Sequence, residues 1–232
     1  MMATMRAFIL AFCLATPAVA DCSRQFLENA TSSYIAAQAA GHPSLPLLSD
    51  TSAYLENNKS MDIKTGVLTT PLKLDSTRSV HDTVQCATFT EIIAASNPHP
   101  YVIGTRMSFE NSKIKLIDSI VTDQDDWAFN ATGYAYWNSI ETSWDPIPEA
   151  KRDSRAVIQA AGDAYFDRWN NVSVVIPMAT PCARLEGGGE DYLPFLFINN
   201  SMHCARFRLL WRMLTFNLAS IHRQGKPHGK YL

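Results

Sequence analysis

Residues 101–122 read YVIGTRMSFENSKIKLIDSIVT. Two runs in which apolar and polar residues alternate, Tyr101 to Phe109 and Ile114 to Thr122, flank Asn111-Ser112-Lys113, and that order predicts two strands joined by a hairpin turn. Upstream, Ile63 to Thr69 and Thr83 to Ile93 are also of strand type. Ahead of them, Cys22 to Ala40 places Phe26, Leu27, Ala30, Tyr34, Ile35 and Ala37 at helical spacing and ends before Gly41-His42-Pro43, an amphipathic helix with a breaker. A short helix or turn at Leu45 to Ser49 then leads to Ser52 to Asn57. A helix followed by several antiparallel strands is an α+β signature.

The pattern begins again downstream. Asp153 to Asn170 is helical and Val172 to Ile176 is strand-like. SRQFLENATSSYIA at 23–36 and SRAVIQAAGDAYFD at 154–167 each place a Tyr ten residues after the Arg. Tyr34 is followed twenty residues later by Tyr54-Leu55-Glu56-Asn57, and Tyr165 nineteen later by Arg184-Leu185-Glu186-Gly187. The recurrence, at an offset of about 130, predicts an internal duplication. Only 46 residues follow Glu186, and they do not alternate. The expected organisation is therefore 1–20 signal peptide, 21–123 first α+β unit, 124–152 aromatic-rich linker packing across both units, 153–189 start of a second, truncated unit, and 190–232 divergent tail.

The runs CSRQFLENATSSYIAAQAAG, YLENNKSMDIKTGVL, SVHDTVQCATFTEII, YVIGTRMSF, IVTDQDDWAFNATGYAYW, WDPIPEAKRDSRAVIQAAGDAYFD and PCARLEGG are similar to a large group of secreted fungal proteins defined as a domain of unknown function. The resemblance covers residues 22 to 189. Its units look like the α+β cone of the nuclear transport factor two superfamily, a helix packed on a curved antiparallel sheet. That superfamily includes polyketide cyclases, ketosteroid isomerases and epoxide hydrolases as well as non-catalytic binders. The resemblance implies a further Cys and more strands after PCARLEGG, and this sequence departs from that after Gly189. A gene model that reads through an intron or shifts frame is the expected explanation, and a genuine divergent tail the alternative.

MMATMRAFILAFCLATPAVA has Arg6 as its only charge, an apolar run from Ala7 to Ala15 and small residues up to Ala20, which predicts a secretory signal cleaved after Ala20. No apolar stretch is long enough to span a bilayer. Four cysteines remain after cleavage, Cys22, Cys86, Cys182 and Cys204. In an oxidising compartment they predict two disulfides, the first joining Cys22 to Cys86 and worth roughly 4 kcal/mol in the chain-entropy model. Sequons at Asn29, Asn58, Asn130, Asn171 and Asn199 suit a secreted glycoprotein. From residue 201 onward six basic residues stand with no acidic one, in a segment expected to contact neither membrane nor nucleic acid.

A cone leaves a pocket at its wide end, lined by inward side chains of the strands. The candidate pocket residues are Tyr34, Tyr54, Glu56, Arg106 and Asp118, and the candidate catalytic residues His81, Asp82 and Glu91. His81 beside Asp82 has the makings of a general base with a nearby carboxylate, yet sequence neighbours on a strand face opposite sides. A surface placement of that pair is the stronger expectation. Arg106 and Glu91 are alternatively a cross-strand pair. There is no G-x-S-x-G, H-E-x-x-H, C-x-x-C or G-x-G-x-x-G, so no metal or cofactor is expected. The expected function is binding of a small apolar molecule or a secreted partner, with a metal-independent cyclase, isomerase or hydratase of secondary metabolism as the alternative. A spliced transcript across codons 185–232 is expected to encode a Cys followed by alternating strands; recovery of the present C-terminus from mature protein by mass spectrometry overturns the truncation.

Overall fold

A computed structural model describes residues 22–126, 128–140, 145–177 and 183–192. The expected signal segment, Cys182, Cys204, Asn199 and nearly all of the tail lie outside the described residues.

Helix α1 (Arg24–Ala40) opens on Ser23, whose hydroxyl accepts from the Phe26 amide, and closes on Gly41 in the left-handed region at φ 65°. A Cβ on Gly41 would come within 2.6 Å of the Pro71 nitrogen, so the cap needs glycine for space as well as for φ. The helix buries Leu27, Ala30, Thr31, Tyr34, Ala37 and Gln38. Their spacing defines one face, and three of the six carry polar groups.

That face rests on a six-stranded sheet of β1 (Ala53–Glu56), β2 (Lys59–Ser60), β3 (Ser76–Asp82), β4 (Ala87–Ala94), β5 (Tyr101–Glu110) and β6 (Lys113–Thr122), in the order β2-β1-β6-β5-β4-β3. The quoted hairpin is its centre. Asn111 and Ser112, at φ 52° and 57°, make the tight turn between β5 and β6. Ile103, Thr105, Met107 and Phe109 point toward α1 and are buried, while Gly104, Arg106 and Ser108 face the other way. The α+β class holds, with one correction to the antiparallel expectation. Strand β1 pairs parallel with β6, Tyr54 opposite Ile117 and Glu56 opposite Ser119. Alternation reports a strand but not its direction, and β1 is linked to β6 only through the whole β3–β5 meander.

Three strand expectations shift. Thr83 does not start a strand, because Asp82 Oδ1 accepts from the amides of Val84 and Gln85 and bends the chain into the β3–β4 turn. Ile63 to Thr69 forms a turn led by Asp62 and a 3₁₀ turn, Val67–Thr69, rather than a strand. Residues 172–176 likewise form no strand. The disulfide Cys22–Cys86 is present, with Cα atoms 5.4 Å apart, and fastens the entry of α1 to the β3–β4 turn.

The expected aromatic linker contains a helix, α2 (Ala131–Ile140), capped by Asn130, whose Oδ1 accepts from the Gly133 amide. It lies on the sheet face away from α1, against β4, and also touches β8. Helix α3 (Arg155–Asn170) opens on Ser154, whose hydroxyl accepts from the Val157 amide. A two-stranded sheet follows, β7 (Ala183–Glu186) and β8 (Gly189–Tyr192).

Some local features recur along the chain. Ser23 and Ser154 cap their helices in the same way, and Tyr34 and Tyr165 are both buried. Leu55-Glu56 and Leu185-Glu186 each end a strand before a two-residue turn at positive φ, Asn57-Asn58 in one case and Gly187-Gly188 in the other. Glycines serve the second turn because a Cβ on Gly187 would strike the Ala128 backbone. No helix among the described residues is long and apolar enough to cross a membrane. Replacing Cys22 and Cys86 by Ser is expected to lower unfolding free energy by about 2–4 kcal/mol in a urea titration; an unchanged midpoint would show that the cross-link contributes nothing.

Candidate functional site

Register sets one line of polar side chains across the sheet face beneath α1. Ser79 is opposite Thr90, Thr90 opposite Thr105, Thr105 opposite Ser119, and Ser119 opposite Glu56. The hydroxyls of Ser79 and Thr90 are 2.9 Å apart and those of Thr105 and Ser119 2.8 Å. From α1, the Tyr34 phenol reaches down to Thr105 at 2.7 Å. Thr90, Thr105, Ser119 and Tyr34 are all fully buried, so the line runs through the core.

At its β1 end stands a tighter group. The Tyr54 hydroxyl donates to Glu56 Oε1, which also accepts from the Val67 amide. Gly66 leaves room for this contact, since a Cβ there would come within 2.7 Å of the Tyr54 hydroxyl. Burial pushes Tyr34 up to about 12; hydrogen bonds from Thr105 and Ser119 oppose the rise, and the Glu56 charge adds to it. Tyr54 is also raised, by burial first and then by its bond to Glu56. Both phenols therefore stay protonated across the physiological range and act as neutral donors.

Of the five expected pocket residues, Tyr34, Tyr54 and Glu56 come together. Arg106 and Asp118 are register partners on the opposite face of the sheet. The three expected catalytic residues are dispersed. His81 faces α1 from the edge strand, with Nε2 3.1 Å from Thr31 Oγ1. Thr31 gives its own proton to the Glu28 carbonyl, so it accepts from Nε2–H. Burial lowers the His81 value, Glu28 opposes that and Arg24 adds to it.

Asp82 faces the other way and is held by Arg155 at 2.6 and 3.1 Å. Burial works against its charge, but the bonds from Arg155, Gln85 and Val84 prevail and keep its carboxyl below the usual range. Glu91 is buried on the outer face, accepting from Asn138 Nδ2 at 2.8 Å and from the Tyr134 hydroxyl at 3.3 Å. Arg78 donates to Asn138 Oδ1 at 2.8 Å. Glu91 stands opposite Gly104 and Arg106 opposite Phe89, so these two are diagonal neighbours rather than a directly opposed pair.

Sequence reasoning passed over Thr31, Gln38, Ser79, Thr90, Thr105 and Ser119, because it sought ionisable groups. The signal was present as a Ser or Thr at inward positions of four adjacent strands. The sequon residues Asn29, Asn58, Asn130 and Asn171 are all exposed.

Residues 151–210 match the model of a domain of unknown function, DUF8021. The matched span crosses Gly189 and enters the segment expected to be a divergent tail. No curated protein matches the chain. A solved structure of an NTF-2 like protein of unknown function from Burkholderia xenovorans LB400 is similar at 17% identity and a TM-score of 0.34, covering 53% of this chain and 96% of that one.

The His81 shift has a consequence for stability. A folded-state value below the ordinary 6.5 means that the unfolded chain takes up the proton first. The contribution of neutral His81 is therefore complete above pH 6.5 and is lost as the pH falls through the lower folded value. Thermal melts should show a fall in midpoint below pH 6.5 that His81→Gln makes shallower; parallel curves for the two proteins would remove His81 as its source.

Proposed function

We propose that this chain is a secreted, glycosylated fungal protein that binds a small, mainly apolar ligand between α1 and the sheet. The observation that carries the reading is the convergence of Tyr34, Tyr54 and Glu56 beneath α1, beside the aliphatic side chains of Leu27, Leu68, Ile92, Ile103, Met107 and Ile117. An apolar body with a few placed polar groups is the usual make-up of a small-molecule site. Two protonated phenols and a carboxyl at one end orient a ligand, while the surrounding aliphatic side chains supply burial. Secretion is supported by the leader-like first twenty residues and by the disulfide, and glycosylation by four exposed sequons. A secreted partner is the alternative occupant.

A second reading, a metal-independent cyclase, isomerase or hydratase acting on a secondary metabolite, is favoured by one feature of the same group. Neutral phenols beside a carboxyl can polarise a carbonyl while the carboxyl moves a proton. In that reading the acid–base role passes from His81, Asp82 and Glu91, which share no centre, to Glu56 with Tyr34 and Tyr54.

Organic extraction of protein purified from a secreting host, followed by mass spectrometry, is expected to release a small apolar compound. Tyr34→Phe and Glu56→Gln should each lower rebinding by about three- to tenfold, the worth of one hydrogen bond. An empty extract together with no saturable uptake of apolar compounds sinks the binding reading. Turnover of a bound carbonyl compound that vanishes in Glu56→Gln while binding persists would establish the catalytic one.

A further inference from the structure

Gln38 lies on α1 one turn beyond Tyr34 and is wholly buried. Its Nε2 donates to the Val67 carbonyl at 2.9 Å and to the Thr70 carbonyl at 3.0 Å. Both amide hydrogens are thus used, and the orientation of the group is fixed, because the reverse would set its oxygen against two carbonyl oxygens. Oε1 is therefore an acceptor, buried and with no hydrogen-bond partner from the protein. A carbonyl oxygen held in an apolar interior without a donor is costly, and native proteins seldom leave one so.

Its position ties it to the group already described. The 3₁₀ turn Val67–Thr69 has Glu56 on the amide of Val67 and Gln38 on the carbonyl of the same residue. The open acceptor and the Tyr54–Glu56 pair thus flank one short turn. A ligand meeting Gln38 Oε1 finds an acceptor. An ionised carboxylic acid has no proton to give it, whereas an alcohol, phenol or N–H does.

We propose that Gln38 Oε1 receives a hydrogen bond from the ligand, and that the ligand is a neutral, apolar hydrogen-bond donor, an alcohol or phenol rather than a carboxylic acid. The inference rests on the binding reading above, and deepens it. Its test uses three compounds of one apolar body, naphthol, its methyl ether and naphthoate, each titrated into the full chain and followed by its own fluorescence. Naphthol should bind about tenfold more tightly than the ether, the worth of one buried hydrogen bond, with naphthoate weakest. In Gln38→Met, with a melting curve recorded alongside, naphthol should fall to the affinity of the ether while the ether is unchanged.

Equal binding of naphthol and ether by the wild-type chain overturns the inference and leaves the binding reading standing, with the Gln38 oxygen then belonging to a buried water. A preference for naphthoate overturns it as well. Failure of all three to bind overturns both. The wild-type ranking decides the matter even if the variant does not fold.

Discussion

Tyr34 can carry its phenol into the core only because Thr105 and Ser119 stand opposite one another on β5 and β6 and face α1. A buried hydroxyl without a partner is costly, so this arrangement fixes more than one contact. A slip of one residue between β5 and β6 would send either Thr105 or Ser119 to the outer face and strip the phenol of support. The same register puts Ser119 beside Glu56 of β1, and hence Tyr54 and Glu56 under the helix. The apolar packing of Leu27, Ile103, Met107 and Ile117 supplies most of the burial, but many registers would bury aliphatic side chains about as well. The hydroxyl line is what selects among them.

A second constraint gathers at the turn between β3 and β4. Cys86, at φ 51°, is bonded to Cys22 at the entry of α1, while Asp82 grips Arg155 at the entry of α3. Two helices that begin with the same Ser-Arg pair are thus both fastened to one four-residue bend. The first bond is covalent. The second is a partly exposed ion pair, the kind that is screened and contributes modestly. The entry of α1 is therefore held firmly to the β3–β4 turn and the entry of α3 more lightly.

Much of this was legible in the sequence, for reasons that differ by element. The helix at 24–40 and the β5–β6 hairpin were clear because burial repeats at a single period in each. The pairing of Cys22 with Cys86 was also readable. The parallel entry of β1 was not, because alternation carries no sense of direction. Strand β3 was missed because STRSVHD is polar on both faces, its Arg78 and His81 being covered by α2 and α1 rather than by a common core. Of the expected pocket residues, Tyr34, Tyr54 and Glu56 lie on the side beneath α1, and Arg106 and Asp118 on the other; for Asp118 the register shift opposite Ser108/Phe109 changes which parity of β6 faces in, and alternation alone does not show it.

The parallel pairing of β1 with β6 has a temporal side. Tyr34 and Glu56 come from the beginning of the first unit, and Thr105 and Ser119 from its end. During synthesis the helix and β1 emerge long before the strand that will hold them, so local contacts cannot assemble this interior stepwise. The polar cluster is completed only when β6 threads between β5 and β1, a closure of high contact order and correspondingly slow. Until then the nascent chain exposes a half-built core, with Tyr34 and Glu56 still without the partners that later bury them.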